Sequence, residues 1–176
     1  MKTKTKIAGA SVFGLALIAV PALSQTLDDI ISAEEAVIAA WQQTPLTFRT
    51  ALFADSKPQG FGIYVERAHN EFATGESIIV YAEPVGYGWH LSPDGTYTFG
   101  FNVDFLLKDD AGKIVAGQEN FQQLELNSRF RNREFMLVLT LTVDGAPPGS
   151  YEIEYRVRDV ASDKEGTIAL PFHITG

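Results

Sequence analysis

The chain has 176 residues, with 14 Lys+Arg against 22 Asp+Glu, a formal charge of −8 and no cysteine. That length holds one substantial domain, and 45% hydrophobic with 20% charged residues suits a packed core rather than a disordered chain. The missing cysteine excludes disulfides, thiolate metal ligands, a cysteine nucleophile and a lipid-bearing cysteine.

Residues 1–24 read as a secretory signal peptide. Lys2, Lys4 and Lys6 form a basic start, Ile7 to Val20 an apolar run of 14 residues, and Ala22 and Ser24 the small −3 and −1 positions for cleavage before Gln25. The run is shorter than the roughly 20 residues a spanning helix needs, which leaves an uncleaved anchor as the alternative. Cleavage would leave 152 residues with 11 basic and 22 acidic side chains, a charge of −11. The expectation is a periplasmic or secreted protein with no stable membrane insertion after cleavage. So acidic a chain repels nucleic acid.

Residues 25–44 form an amphipathic helical segment. Leu27, Ile30, Ile31, Val37, Ile38 and Trp41 fall close to one stripe of a 3.6-residue period. Ser32 and Glu35 have capping-box spacing, and Thr44-Pro45 gives a stop. The stripe should dock on the domain or on a partner.

From Pro45 to the end the pattern has period two, so residues 45–176 read as a single β domain. Leu46, Phe48 and Thr50 begin a first strand, Phe61–Glu66 a second, and Ser77–Glu83 a third, with Pro84 ending it or marking an edge. Asn70–Glu76 has turn character. Tyr97, Phe99, Phe101, Val103, Phe105 and Leu107 alternate with mostly polar or small residues, the strongest strand signal in the chain. Asp109–Gly112 turns into Lys113–Ala116. Phe135, Leu137, Leu139, Leu141 and Val143 alternate next, with Met136 and Val138 on a second face that is also covered. Tyr151, Ile153, Tyr155 and Val157 point inward, while Glu152, Glu154, Arg156 and Arg158 point outward to pair across strands. Thr167–Ile174 closes the chain, with Pro171 at an edge or bulge. About seven or eight strands joined by Gly, Asp and Pro turns, with no helix–strand alternation, predict an all-β fold. An immunoglobulin-like or fibronectin-like antiparallel sandwich fits best, and a closed barrel is the runner-up.

The segment Ala146–Asp159, Ala-Pro-Pro-Gly-Ser-Tyr-Glu-Ile-Glu-Tyr-Arg-Val-Arg-Asp, followed by Ser162–Gly166, is similar to a hairpin of many secreted bacterial immunoglobulin-like and macroglobulin-like domains. Phe61–Tyr64 and Phe72–Glu83 resemble segments of exported bacterial β-sandwich proteins of unknown function. The resemblance implies the sandwich fold and an exported setting. It carries no activity and no site residue onto this chain, which lacks the Cys-Trp-Cys core of antibody domains.

Candidate chemistry is sparse. His69, His90 and His173 lie far apart without the short ligand spacing of a zinc or copper site, and Met136 belongs to a core strand, so no metal or other cofactor is expected. Asp104, Asp109, Asp110, Asp144, Asp159 and Asp163 near strand ends could gather calcium, though turn duty is their ordinary role. No nucleophile elbow or His-Glu-x-x-His helix is present, and Glu66, Glu71, Glu76 and Glu83 offer only the carboxylates of any acidic sandwich. An enzyme is therefore the weaker reading.

Two segments stand out as ligand- or partner-binding. Arg129, Arg131 and Arg133 would share one face if extended, a row able to clamp a carboxylate, phosphate or acidic glycan, unless neighbouring acids simply neutralise it. The loop Glu83–Gly95 sets Tyr87, Trp89 and His90 among glycines and prolines, where they could stack on a sugar or anchor a protein; Trp89 could instead close the end of the sandwich. The sequence thus points to an exported non-enzymatic binding or protein-interaction domain with a protein or glycan partner. A structural or assembly component of an envelope complex is the alternative, ahead of a calcium-binding or hydrolytic protein.

Overall fold

The computed structural model describes residues 25–176, so the signal peptide expected over residues 1–24 and its cleavage site lie outside the described residues. Helix α1, Leu27–Gln43, starts at Thr26, whose hydroxyl accepts from the Asp29 backbone N–H (3.3 Å). The Asp29 carboxylate in turn accepts from the Thr26 N–H (2.7 Å). This capping box is Thr26–Asp29 rather than Ser32–Glu35. The pair six residues upstream meets the free N–H groups first, and Ser32 falls inside the helix. Thr44 adopts an extended conformation and ends the helix before Pro45.

Nine strands follow: β1 Thr47–Ala54, β2 Glu71–Ala73, β3 Ser77–Val85, β4 His90–Leu91, β5 Tyr97–Asp109, β6 Ile114–Ser128, β7 Leu137–Thr142, β8 Gly149–Asp159 and β9 Glu165–Thr175. One sheet has the order β1-β3-β7, and the other runs β2-β9-β8-β5, with β6 along β5 and β4 at the start of β5. All pairings are antiparallel except β2 with β9. Among the described residues no ladder joins the two sheets, so they do not close into one barrel.

The inward rows come together as the alternation predicts. Phe99, Phe101 and Val103 of β5 and Ile153, Tyr155 and Val157 of β8 are fully buried, in one cluster with Ile78, Val80 and Ala82 of β3 and Leu137 and Leu139 of β7. Gly100 is required within this row, because a Cβ there would lie 2.0 Å from the Leu124 carbonyl oxygen. The outward charges of β8 pair as expected: Lys108 with Glu152 and Glu154, Arg156 with Glu165, and Arg158 with Asp104. Pro84 lies beyond Ser77–Ala82, the part of β3 paired with β7, and so has β1 alone beside it.

Three expectations change. Phe61–Glu66 is no strand but a turn tied back by the bridges Ala54↔Glu66 and Gly60↔Ile63. Glu71–Ala73, expected as turn, pairs in parallel with His173–Thr175. The short extended piece Lys113–Ala116 is only the beginning of β6, which reaches Ser128. Being paired along one edge and exposed over most of its length, β6 needs no apolar alternation. Among the described residues, no helix is long and apolar enough to cross a membrane.

Candidate functional site

The two segments singled out in the sequence, 83–95 and 129–134, meet at the carboxyl end of α1. Tyr87 and Trp89 leave β3 on a loop that Gly86 makes possible: φ is +86°, and a Cβ would sit 2.4 Å from the Pro45 carbonyl oxygen. Asp159, buried at the end of β8, pins this loop by accepting from the Gly88 N–H (2.7 Å), the Ala161 N–H (3.0 Å) and the Ser162 hydroxyl. The carbonyl of Asn132 then accepts from both the Tyr87 hydroxyl and the Trp89 indole N–H, each at 2.9 Å. The arginine segment is thereby tied to the aromatic loop.

Trp41 completes the joint. Its indole donates to the Tyr87 carbonyl (2.9 Å), and its ring lies 5.1 Å from Tyr87, edge-on, and 5.8 Å from Trp89. Lys164 fastens the same turn, donating from Nζ to the carbonyls of Gln42, Thr44 and Gly86 at 2.6–2.8 Å. The Gln42 and Thr44 carbonyls would otherwise be free at the helix end.

A cavity of about 450 Å³ opens here, lined by Trp41, Arg49, Phe61, Arg131, Asn132, Arg133 and Glu134. Arg131 pairs with Glu35 of α1 (2.7 Å) and lies 5.8 Å over the Tyr97 ring. Arg49 of β1 faces Glu83 at 3.7 Å and lies 5.9 Å over the Phe61 ring. Glu83 is buried and also accepts from the Tyr81 hydroxyl (2.7 Å), which accepts from the Gly62 N–H and so holds the Phe61 turn. Arg133 is half-buried and, among the described residues, forms no ion pair. Burial pushes the Tyr87 hydroxyl far above the ordinary tyrosine range; the nearby Asp159 adds to this and the Arg133 charge opposes it.

The sequence-predicted residues divide accordingly. Arg131 and Arg133 line the cavity, and Trp89 backs Trp41 behind its wall. Tyr87 is fully buried against Phe99, Phe101 and Phe135, so it builds the site from within and is not open to a ligand. His90 is exposed in β4, opposite Thr98, and Arg129 is exposed; neither lines the cavity. The 129–134 segment is irregular rather than extended, which is why its arginines do not form one row.

Sequence reasoning missed Arg49, Phe61, Asn132 and Glu134. The first two were read as strand residues, and their meeting with Arg131 depends on long-range packing that no local pattern carries. Asp104 and Asp159 are engaged by Arg158 and by backbone N–H groups, and Asp109 caps its own turn by accepting from Ala111 and Lys113. Among the described residues no group of three or more His, Asp or Glu side chains is placed to hold a metal. No protein-family model matches the chain, and no curated protein matches it.

Proposed function

We propose that the chain is an exported, non-enzymatic binding domain that takes an anionic ligand in the cavity between α1 and the arginine segment. Arg133 carries this reading. It is a half-buried residue whose guanidinium forms no ion pair among the described residues, beside Arg49 and Arg131, in a chain with 14 basic and 22 acidic residues. Its donors are open to a ligand carboxylate or phosphate, which would meet them with charge-assisted hydrogen bonds. Arg131 and Arg49 already have acidic partners, so they shape the pocket while Arg133 supplies the vacant charge.

The scaffold in this reading is an immunoglobulin- or fibronectin-like sandwich. The order β1-β3-β7 against β9-β8-β5-β6, with apolar rows shared in one core, supports it. Export is supported by the Lys2–Ser24 pattern, which predicts that the purified chain begins at Gln25 by mass spectrometry. Thermal unfolding in acetate tests the binding claim. Acetate, a monocarboxylate, should raise the transition of the native chain and leave Arg133→Ala unmoved, since a ligand stabilises only the state that binds it. Equal shifts in both would contradict the proposal.

A second reading, a component of an assembly, is favoured by α1 alone. Leu27 (69% exposed), Ile30 (53%), Ile31 (47%) and Val37 (43%) show an apolar stripe with no cover among the described residues. Light-scattering mass of the native chain and of an Ile30→Asp/Val37→Asp variant tests it: self-assembly requires a larger native mass that the variant loses.

A further inference from the structure

We infer that the ligand of this cavity is a sugar carrying a single carboxylate, a uronic acid residue or the acidic end of a short glycan. The inference depends on the binding-domain reading above and narrows it to one chemical class.

Three features of the cavity select this class. The first is shape. A guanidinium presents parallel N–H donors in a plane, which match the two oxygens of a carboxylate. Arg133 is free to do this, whereas Arg131 already spends donors on Glu35.

The second is the wall. Trp41 and Phe61 line the cavity, and Trp89 lies tilted 5.8 Å from Trp41. Trp41 is buried, so half-buried Phe61 is the aromatic face that suits the polarised C–H face of a pyranose ring. Asn132 and Glu134 are the polar groups left to meet its hydroxyls. A space of about 450 Å³ falls within the ~300–1,000 Å³ of small-molecule sites and far exceeds the needs of a bare inorganic anion.

The third is charge. Glu134 lines the cavity beside the arginines. A phosphate monoester carries about −1.5 to −2 at neutral pH and is repelled by this carboxylate. A monocarboxylate carries only about half to two thirds of that charge. The charge of −11 left after cleavage before Gln25 likewise repels a long polyanion while acting little on a single carboxylate.

The chain supplies its own reporter, because its two tryptophans, Trp41 and Trp89, both stand at this site. Tryptophan emission of the full chain is therefore titrated with methyl glucuronide, methyl glucoside, inorganic phosphate and a glutamate-rich peptide, for the native protein and for Arg133→Ala and Arg133→Lys. Melting curves check that each variant is folded. The expected result is a saturable change with methyl glucuronide, at least about tenfold tighter than with the other three. Arg133→Ala should weaken it by about tenfold or more, and Arg133→Lys, which keeps the charge but loses the fork, by several-fold.

Phosphate or the acidic peptide binding as tightly, with the same loss in Arg133→Ala, would overturn the sugar while leaving the anion site standing. Glucoside binding as well as glucuronide would overturn the carboxylate contact and with it the role given to Arg133. Silence toward all four probes would overturn the binding reading itself.

Discussion

At the scale of single residues, Lys164 and Tyr155 show opposite ways of burying a polar group. The Lys164 ammonium donates to three carbonyls, two of them from the end of α1 and one from Gly86. Hydrogen bonds to charged groups contribute about 1.5–3 kcal/mol, so Lys164→Met should cost about 2 kcal/mol in urea unfolding and loosen the helix end first. The Tyr155 hydroxyl, in contrast, is buried without a partner among the described residues. Removing it in Tyr155→Phe should leave stability unchanged or raise it by about 1 kcal/mol, read as a higher urea midpoint. A loss of stability there would mean that the hydroxyl has a partner.

The same buried tyrosines set an alkaline limit. Burial pushes the Tyr81 hydroxyl from 10.0 up to about 12, and burial raises Tyr87 and Tyr155 further. A raised folded-state value means that the folded chain holds the proton more tightly than the unfolded one. The stability this contributes is complete below about pH 10 and falls as the pH climbs toward 12. Melting temperature should therefore drop steeply across that window, and less steeply in Tyr155→Phe. A flat profile would show that these hydroxyls ionise freely.

At the scale of elements, α1 is held at one end only. Trp41 is its sole buried residue, and the contacts that fix it come from Glu35, Trp41, Gln42 and the Thr44 cap. A helix of 17 residues whose first two turns or so are unsupported is marginal in water at that end. Amide exchange for Ile30–Val37 should thus run orders of magnitude faster than for β5 or β8. Slow exchange there would mean that the stripe is covered by a second molecule.

This helix also shows what was legible in the sequence. Its period and its Pro45 stop were plain, because the same apolar side chains that repeat every 3.6 residues make the helix. Its cap was misplaced by six residues because Thr26–Asp29 and Ser32–Glu35 have the same spacing. The strands β5 and β8 were legible for a similar reason: one face is buried, so alternation is imposed. β6 was legible only at its start, since a polar edge strand is defined by its neighbour β5 and not by its own composition. Phe61–Glu66 failed in the other direction, being apolar enough for a strand but paired through isolated bridges alone.

At the scale of the whole molecule, the sheets act as a frame that carries four pieces of chain to one place. Residues 41, 49, 61 and 131–134 meet because α1, β1, the turn between β1 and β2 and the β6–β7 connection converge there. The sequence made the arginines and the aromatic loop conspicuous as separate features. That Asn132 joins them through its backbone carbonyl was not readable, since a carbonyl has no signature in side-chain identity. Tyr87 illustrates the cost of that gap. It resembled an exposed loop aromatic and is a core residue, so Tyr87→Ala should lose about 3–5 kcal/mol of stability and would report on folding rather than on binding.

The side-chain Nε–H resonances of the arginines test the binding claim most directly. The chain holds its own controls, because Arg156 and Arg158 are tied to Glu165 and Asp104 on the outer face of β8, away from the cavity lining. On titration with methyl glucuronide, the Arg133 signal should shift saturably together with the Trp41 and Trp89 indole signals, while Arg156 and Arg158 stay in place. Equal small shifts of all the arginines, or none at Arg133, would contradict a binding site in this cavity.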